Sequence, residues 1–123
     1  MTKKVEDLTN EQIDVLVAEH VKGWLRIPGV CVGDYWFDEA TKECYDVFTP
    51  TTDIACAFLV DKPEWEWFFG EKGDDLHANV YVASEESGVY TVVVPLDPAN
   101  KTAAYCRGRC IAALKACGVT EVE

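Results

Sequence analysis

Three closely spaced strand-like segments constrain the fold of this chain more than any other feature. Residues 64–69, 78–83 and 89–94 are rich in aromatic and β-branched side chains, and short polar segments that contain glycine separate them. This pattern predicts an antiparallel meander. Since the chain has 123 residues and is 49% apolar, it can bury a core, and we expect one domain over residues 1–123.

Aromatic side chains are frequent in the first strand of the predicted meander and in an earlier segment, residues 35–37. Side chains alternate between the two faces of residues 64–69. One face carries Trp65, Trp67 and Phe69, and the other carries Phe68. A second group consists of Tyr35, Trp36 and Phe37. Two outcomes stay open: complete burial, or an exposed aromatic patch, with Phe68 or a ring of the second group, that serves self-association or partner binding.

A helix is predicted near the start of the chain. Thr9 and Gln12 have the spacing of a capping box, and Gly23 and Pro28 end the pattern that follows. The apolar face is predicted to consist of Ile13, Leu16, Val17, His20, Val21 and Trp24.

Two short elements are predicted between this helix and the meander. Residues 30–37 and 44–47 flank a polar turn, which indicates a hairpin. Thr51 or Thr52 is predicted to cap a short second helix with Asp53 in its first turn.

A last helix is predicted after the meander. Asp97 is the expected cap, Pro98 the first helical residue and Gly118 the stop. The order is therefore helix, hairpin, helix, three strands, helix, which is an α+β fold.

The charge balance limits the partners. Twenty-two acidic residues against eleven basic ones give a formal net charge of −11. Because Lys and Arg hold nucleic acid and anionic membranes, this balance disfavours both as direct partners and favours a basic protein. No apolar run approaches the roughly 20 residues of a membrane span, and no secretory signal is evident. We expect the protein in the cytoplasm.

Acidic residues cluster in predicted loops and hairpins. The first group is Asp34, Asp38, Glu39, Glu43 and Asp46, and the second is Glu71, Asp74, Asp75, Glu85 and Glu86. If both share one end of the sheet, they form a negative face that imitates the charge spacing of a phosphate backbone. The alternative is a solvated surface that only aids solubility.

The arginines offer a different candidate site, an anion or nucleotide pocket. The chain has three of them, Arg26, Arg107 and Arg109. Arg107 and Arg109 flank Gly108, where a phosphate would approach the backbone while a guanidinium holds it. Residues two apart face different sides of a helix, so one of the pair is expected to be a plain surface charge.

Catalytic and metal chemistry have little support in the sequence. The six cysteines include no Cys-x-x-Cys pair, which argues against zinc, and free thiols are expected, with Cys106 and Cys110 buried one helical turn apart. His20 is expected in the core or an interface, and His77 is expected to be exposed at a loop edge. We predict no enzyme, no cofactor and no metal.

Three segments carry a family resemblance. Residues 13–24 read IDVLVAEHVKGW, residues 50–58 read PTTDIACAF and residues 104–114 read AYCRGRCIAAL. Together they resemble the phage ABA sandwich domain family, although residues 61–63 shorten the second helix and Gly108 replaces a helix former. The resemblance implies a helix/antiparallel sheet/helix sandwich and a phage origin, with no catalytic residues to carry over.

The leading functional hypothesis is a non-catalytic phage or prophage protein of the host cytoplasm. It would bind and inhibit a basic host target, such as a nuclease or an antiviral defence effector, through its acidic surface. The alternative is a small-ligand binding protein that sequesters a nucleotide immune signal near Arg107 or Arg109, between the subunits of a homodimer. A third alternative, an enzyme, rests only on His77 and the cysteines.

Overall fold

The computed structural model describes residues 2–29, 33–71, 77–84, 88–96 and 99–122. Within them the chain is mixed α+β, with three helices and three small antiparallel sheets. The helices are α1 (Asn10–Leu16), α2 (Ile54–Ala57) and α3 (Lys101–Ala116), with a 3₁₀ turn at Val5–Asp7 and a π-helical turn at Val17–Val21 after α1. The strands are β1 (Lys3–Lys4), β2 (Leu25–Ile27), β3 (Tyr35–Asp38), β4 (Glu43–Tyr45), β5 (Glu66–Glu71), β6 (His77–Ser84), β7 (Gly88–Pro95) and β8 (Glu121–Val122). None of the described helices has the length and apolar character needed to cross a membrane.

The predicted meander is confirmed as the sheet β5–β6–β7. Its inner face buries Val80, Val82, Val92 and Val94, because alternate residues of β6 and β7 point towards α3. On the outer face Phe68 is exposed and stacks on Tyr81, with ring centroids 4.8 Å apart. Of the two outcomes left open, complete burial of the aromatic side chains therefore does not hold.

Helix α3 is the centre of the packing. It lies on β6 and β7, and α1 and α2 pack against α3. A Cβ atom at Gly108 would lie only 2.5 Å from Val80 Cγ2 and 3.4 Å from Val94 Cγ2, so glycine lets the helix approach the sheet closely. On the outer face of the sheet, Val89 and Val93 are exposed. The described residues place no helix over that outer face.

The first helix begins as predicted and then departs from the expected face. Thr9 and Gln12 form the capping box, with Gln12 N donating to Thr9 Oγ1 and Thr9 N donating to Gln12 Oε1. The π-helical turn then rotates the following residues, so Ala18 is buried and His20 is exposed. The prediction that His20 lies on the apolar face is wrong.

The other two helices begin later than predicted. Asp53 is the cap of α2, since its side chain accepts from Ala55 N, whereas Thr51 is buried. The cap of α3 is Asn100, whose Oδ1 accepts from Ala103 N. The predicted caps Thr51 or Thr52 and Asp97 are wrong; Asp97 and Pro98 lie outside the described residues. The predicted stop at Gly118 is confirmed, since α3 ends at Ala116 and Gly118 has a φ of +88°.

Two sheets lie outside the meander. The predicted hairpin is confirmed as β3–β4, and β2 pairs with β3 to extend it. Strands β1 and β8 pair near the two ends of the chain. Neither β2 nor the β1–β8 pair was predicted.

Candidate interaction surfaces

The first acidic group lies on one hairpin. We call this surface the acidic hairpin and define it by Asp34, Asp38, Glu39, Glu43 and Asp46. Asp38 and Glu43 face each other across β3 and β4. Four of these side chains are exposed, and that of Asp38 is half-buried. The structure therefore brings these predicted residues together on one exposed element.

Two of the acidic hairpin's carboxylates are already paired within the chain. Asp34 forms an exposed ion pair with Arg26, with Arg26 Nε 3.3 Å from Asp34 Oδ2. Glu43 accepts a hydrogen bond from Tyr45 Oη at 2.7 Å, and this bond to a carboxylate raises the pKa of Tyr45 to about 12. Tyr45 therefore stays neutral and holds the Glu43 carboxylate in place at neutral pH.

Asp38 is held in its ionised form by the turn. Partial burial alone would raise its pKa, but backbone hydrogen bonds from Ala40 and Thr41 outweigh that cost and lower it. The turn itself places Lys42 at a φ of 64°, with its amide donating to the Asp38 carbonyl at 2.7 Å. The turn thus holds Asp38 in place and favours its charged form.

Four residues of the second acidic group, Asp74, Asp75, Glu85 and Glu86, lie outside the described residues. The described strand ends that adjoin them lie at opposite ends of β6: Glu71 is paired with Ala78 near its start, whereas Ser84, before Glu85, is paired with Gly88 at its other end. Six residue steps of about 3.3 Å separate Ala78 from Ser84 by roughly 20 Å. The prediction that both acidic groups share one end of the sheet falls on residues outside the described part of the chain and stays a prediction.

Arg109 is a structural residue. Its side chain is only 4% exposed, and its Nε donates to the carbonyls of Ala57 and Val60. One Nη donates to Tyr105 Oη, and the guanidinium lies 4.1 Å from the ring centroid of Trp67. Arg109 thus ties α2 and the segment after it to α3, and its donors face the protein interior rather than a ligand.

Arg107 is also engaged within the chain. Its guanidinium donates to the carbonyls of Glu6 and Leu8 and to Asn10 Oδ1. Arg107 therefore fixes the segment before α1 to α3, beside the ion pair of Lys115 with Glu6. The expectation that one of Arg107 and Arg109 is a plain surface charge is wrong, because both meet backbone carbonyls that need donors.

The three arginines do not form one pocket. Arg26 lies on β2, with its guanidinium over the ring of Trp36, whereas the other two lie on α3. Gly108 packs against β6 and β7 and is not open to a phosphate. A cavity of about 200 Å³ does adjoin Arg107, lined also by Thr52 and Asn100, but it is smaller than the roughly 300–1,000 Å³ of most small-ligand sites.

Sequence reasoning missed an exposed apolar surface beside α2. We call it the apolar groove and define it by Ile54, Phe58, Phe69 and Tyr105. The ring of Tyr105 lies 6.4 Å from that of Phe58 and 5.3 Å from that of Phe69, and Ile54 precedes Phe58 by one helical turn. Phe58 is 62% exposed, and Phe69 and Ile54 are 39% and 38% exposed. The four-residue spacing of Ile54 and Phe58 was the available signal, although α2 is too short for a clear periodicity.

The thiols of α3 are buried, as expected. Cys106 and Cys110 lie within the helix, and burial raises the pKa of both, that of Cys110 strongly. Cys44, Cys56 and Cys117 are free thiols as well, and Cys44 is exposed. Cys31 lies outside the described residues, as does the side chain of His77.

Comparison of the chain with protein-family models, with curated proteins and with solved structures finds no match.

Proposed function

We propose that this protein acts by contact, through the acidic hairpin, on a basic protein partner. The observation that carries the proposal is the placement of five carboxylates on one hairpin, where the turn holds Asp38 and Tyr45 holds Glu43. Positioned charges of one sign raise the rate of association with a partner of the opposite sign and select against other partners. The net charge of −11 adds a long-range field of the same sign.

The biological setting belongs to the same proposal. The resemblance of residues 13–24, 50–58 and 104–114 to the phage ABA sandwich domain family supports a phage or prophage protein in the host cytoplasm. The partner would be a host nuclease or an antiviral defence effector, whose nucleic-acid groove supplies the basic surface. The helix/antiparallel sheet/helix sandwich of that family is part of the same proposal.

The nucleotide-sequestration alternative has weaker support. Arg107 and Arg109 already donate to protein acceptors, and Arg26 is paired with Asp34 on a different element. A ligand phosphate would have to displace those contacts at a cost of about 1–3 kcal/mol for each carbonyl left without a donor. A homodimer that would complete such a pocket must also bring together two chains of charge −11.

Charge reversal at matched positions tests the proposal. The variant Glu39→Lys/Glu43→Lys changes the acidic hairpin, whereas Glu11→Lys/Glu19→Lys changes two exposed carboxylates on and after α1 by the same total charge. Each protein is immobilised, exposed to bacterial lysate at ~50 mM and ~500 mM salt, and its bound proteins are identified by mass spectrometry. A basic protein that is retained at low salt by the wild type and the α1 variant, but not by the hairpin variant, supports the proposal. Equal retention by both variants, or no retained basic protein, overturns it.

A further inference from the structure

Strand β7 has an open edge. It is the last strand of the sheet β5–β6–β7, and its pairing with β6 is unbroken from Ser84 and Gly88 to His77 and Pro95. In the part of the chain that the structure describes, no hydrogen bond reaches the other side of this strand. The unpaired amide and carbonyl groups along its eight residues are a template for a further strand.

The sequence of β7 lacks the charges that the other open edges carry. Each other described strand with an open edge includes Lys, Arg or Glu: both residues of β1, Arg26 in β2, Glu43 in β4, Glu66 and Glu71 in β5, and Glu121 in β8. Strand β7 reads GVYTVVVP and includes no charged residue, although 27% of the chain is charged. Charged side chains and bulges keep edge strands from pairing with other chains, and proline does so within a strand. Because β7 has no charge, an unbroken register and proline only as its last residue, its edge is open to pairing.

The side chains of β7 complement those of a second copy of the same strand. Thr91 lies midway between Val89 and Val93, and all three are exposed on the outer face of the sheet. An antiparallel pair with Thr91 opposite Thr91 of the second copy places each Val89 opposite a Val93, and each Tyr90 opposite a Val92 on the inner face. Thr–Thr pairs and pairs of aromatic with β-branched residues stabilise antiparallel strands, whereas like charges in opposite positions destabilise them.

We propose that this protein forms a two-fold symmetric dimer in which β7 pairs antiparallel with β7 of a second copy, with Thr91 opposite Thr91. The two three-stranded sheets then form one sheet of six strands. Its outer edges are the two β5 strands, whose Glu66 and Glu71 disfavour the addition of further chains, so that assembly ends at the dimer. This inference goes beyond the proposed function and does not depend on the acidic hairpin.

The net charge of −11 on each copy opposes the dimer and gives it a characteristic salt dependence. At ~0.15 M salt, exposed charges more than about 8 Å apart are largely screened, and β7 itself brings no charge into the interface. Added salt therefore strengthens the dimer. The same change weakens the binding of a basic partner to the acidic hairpin, so the two proposals respond to salt in opposite directions.

Sedimentation velocity measures the dissociation constant of the dimer. The wild type, Thr91→Lys and Gly70→Lys are compared from ~5 to ~500 µM protein at ~150 mM salt, and the wild type also at ~500 mM salt. Thr91→Lys places like charges opposite each other in the proposed register, whereas Gly70→Lys adds the same charge to β5, where an added Cβ meets no atom within 4 Å. Far-UV circular dichroism and urea unfolding check that each variant is folded, and Thr91→Glu replaces Thr91→Lys should that variant fail to fold. Hydrogen exchange of the backbone amides is followed at the lowest and the highest protein concentration.

We expect a reversible wild-type dimer whose dissociation constant falls as salt rises. Thr91→Lys should weaken the dimer about tenfold or more and Gly70→Lys less than about twofold, while amides of β7 exchange more slowly at high concentration and those of β5 do not change. The proposal is overturned by a wild type that stays monomeric at ~500 µM in both salts, by equal effects of the two variants, or by concentration-dependent protection of β5 instead of β7. Since no basic partner is present in these measurements, their result is independent of whether the acidic hairpin binds one.

Discussion

At the residue scale, buried charge is used to hold the backbone together. Arg109 supplies donors to the carbonyls of Ala57, the last residue of α2, and of Val60 beyond it. The Ala57 carbonyl also accepts from Val60 N, whereas the bond from Arg109 satisfies the Val60 carbonyl after the helix end. The contact of Arg109 with the face of Trp67 replaces part of the hydration that the guanidinium loses. This arrangement explains how a charged side chain is kept at 4% exposure.

Replacing Arg109 therefore lowers stability rather than ligand affinity. We expect Arg109→Ala to cost roughly 2–4 kcal/mol, because the Val60 carbonyl loses the donor that Arg109 supplies, the Ala57 carbonyl keeps only Val60 N, and a cavity remains. Arg109→Lys should recover only part of that loss, since an ammonium cannot reproduce the planar set of donors. Urea unfolding measures both free energies. A lysine variant as stable as the wild type would contradict this role.

Asp14 is a second buried charge, and its effect depends on pH. It is 8% exposed and accepts hydrogen bonds from Thr51 N and Thr51 Oγ1 at 3.0 and 2.8 Å. Desolvation by burial outweighs these bonds and raises the pKa of the carboxyl above its ordinary value. The folded state therefore binds this proton more tightly than the unfolded chain does, and the contribution of Asp14 to stability rises as pH falls through the interval between the two pKa values.

The pH dependence separates two variants of Asp14. Asp14→Ala should be less stable by roughly 1–3 kcal/mol at pH 7, because the donors of Thr51 lose their acceptor. Asp14→Asn keeps an acceptor and removes the charge, so the wild type should gain stability relative to it as pH falls from 7 to about 4. Urea unfolding at both pH values measures the difference. A difference between wild type and Asp14→Asn that does not change with pH would contradict the raised pKa.

The roles of single residues were harder to predict from the sequence than the helices and strands. Arg107 and Arg109 were candidates for an anion site because they flank Gly108, and one of them was expected to be a plain surface charge. Both instead donate to carbonyls of segments that lie about 50 to 100 positions away in the chain. Asp14 carried no local signal for its bond to Thr51, 37 positions later. Such contacts depend on which segments the fold brings together. Only hydrogen bonds between residues close in the chain, such as the capping box of Thr9 and Gln12, could be predicted from residue spacing.

At the element scale, the contact between α3 and the meander depends on one missing side chain. Glycine is about 1 kcal/mol less favourable than alanine inside a helix. An alanine at position 108 would nevertheless place its Cβ only 2.5 Å from Val80 Cγ2. Since β6 and β7 are packed against the helix on this face, the clash is relieved only by moving the helix or a valine side chain.

Gly108→Ala is therefore expected to lower stability by about 1–3 kcal/mol despite its better propensity. Gly70→Ala, where an added Cβ meets no atom within 4 Å, is the matched control and should change stability by less than about 0.5 kcal/mol. Combining Gly108→Ala with Val80→Ala should cost less than the sum of the single changes, because the second change removes the clashing methyl group. Additive costs in urea unfolding would contradict the close approach.

Elements were predictable where a local pattern specified them. The alternation in the meander, the turn before β4 and the glycine after α3 each produced the expected strand, hairpin or helix end. Strand β2 and the β1–β8 pair escaped prediction because each is two or three residues long and exists only through pairing with a distant segment. The π-helical turn likewise has no periodic signal, which is why the exposure of His20 was missed.

At the scale of the whole molecule, acidic side chains gather on one hairpin and exposed rings gather beside α2. The acidic hairpin supplies an oriented field, and the apolar groove supplies rings that gain free energy when water is removed. The first of these was predictable from the sequence, since the five carboxylates lie within 13 consecutive positions.

The most direct test of contact through the acidic hairpin is the salt dependence of affinity for the basic protein recovered by capture. Its dissociation constant is measured by calorimetry between ~50 mM and ~500 mM salt for the wild type, Glu39→Lys/Glu43→Lys and Glu11→Lys/Glu19→Lys. We predict that wild-type affinity falls steeply with salt, that the hairpin variant binds at least about tenfold more weakly at low salt with a smaller slope, and that the α1 variant stays close to the wild type. An affinity independent of salt, or an equal loss in the two variants, would contradict the account.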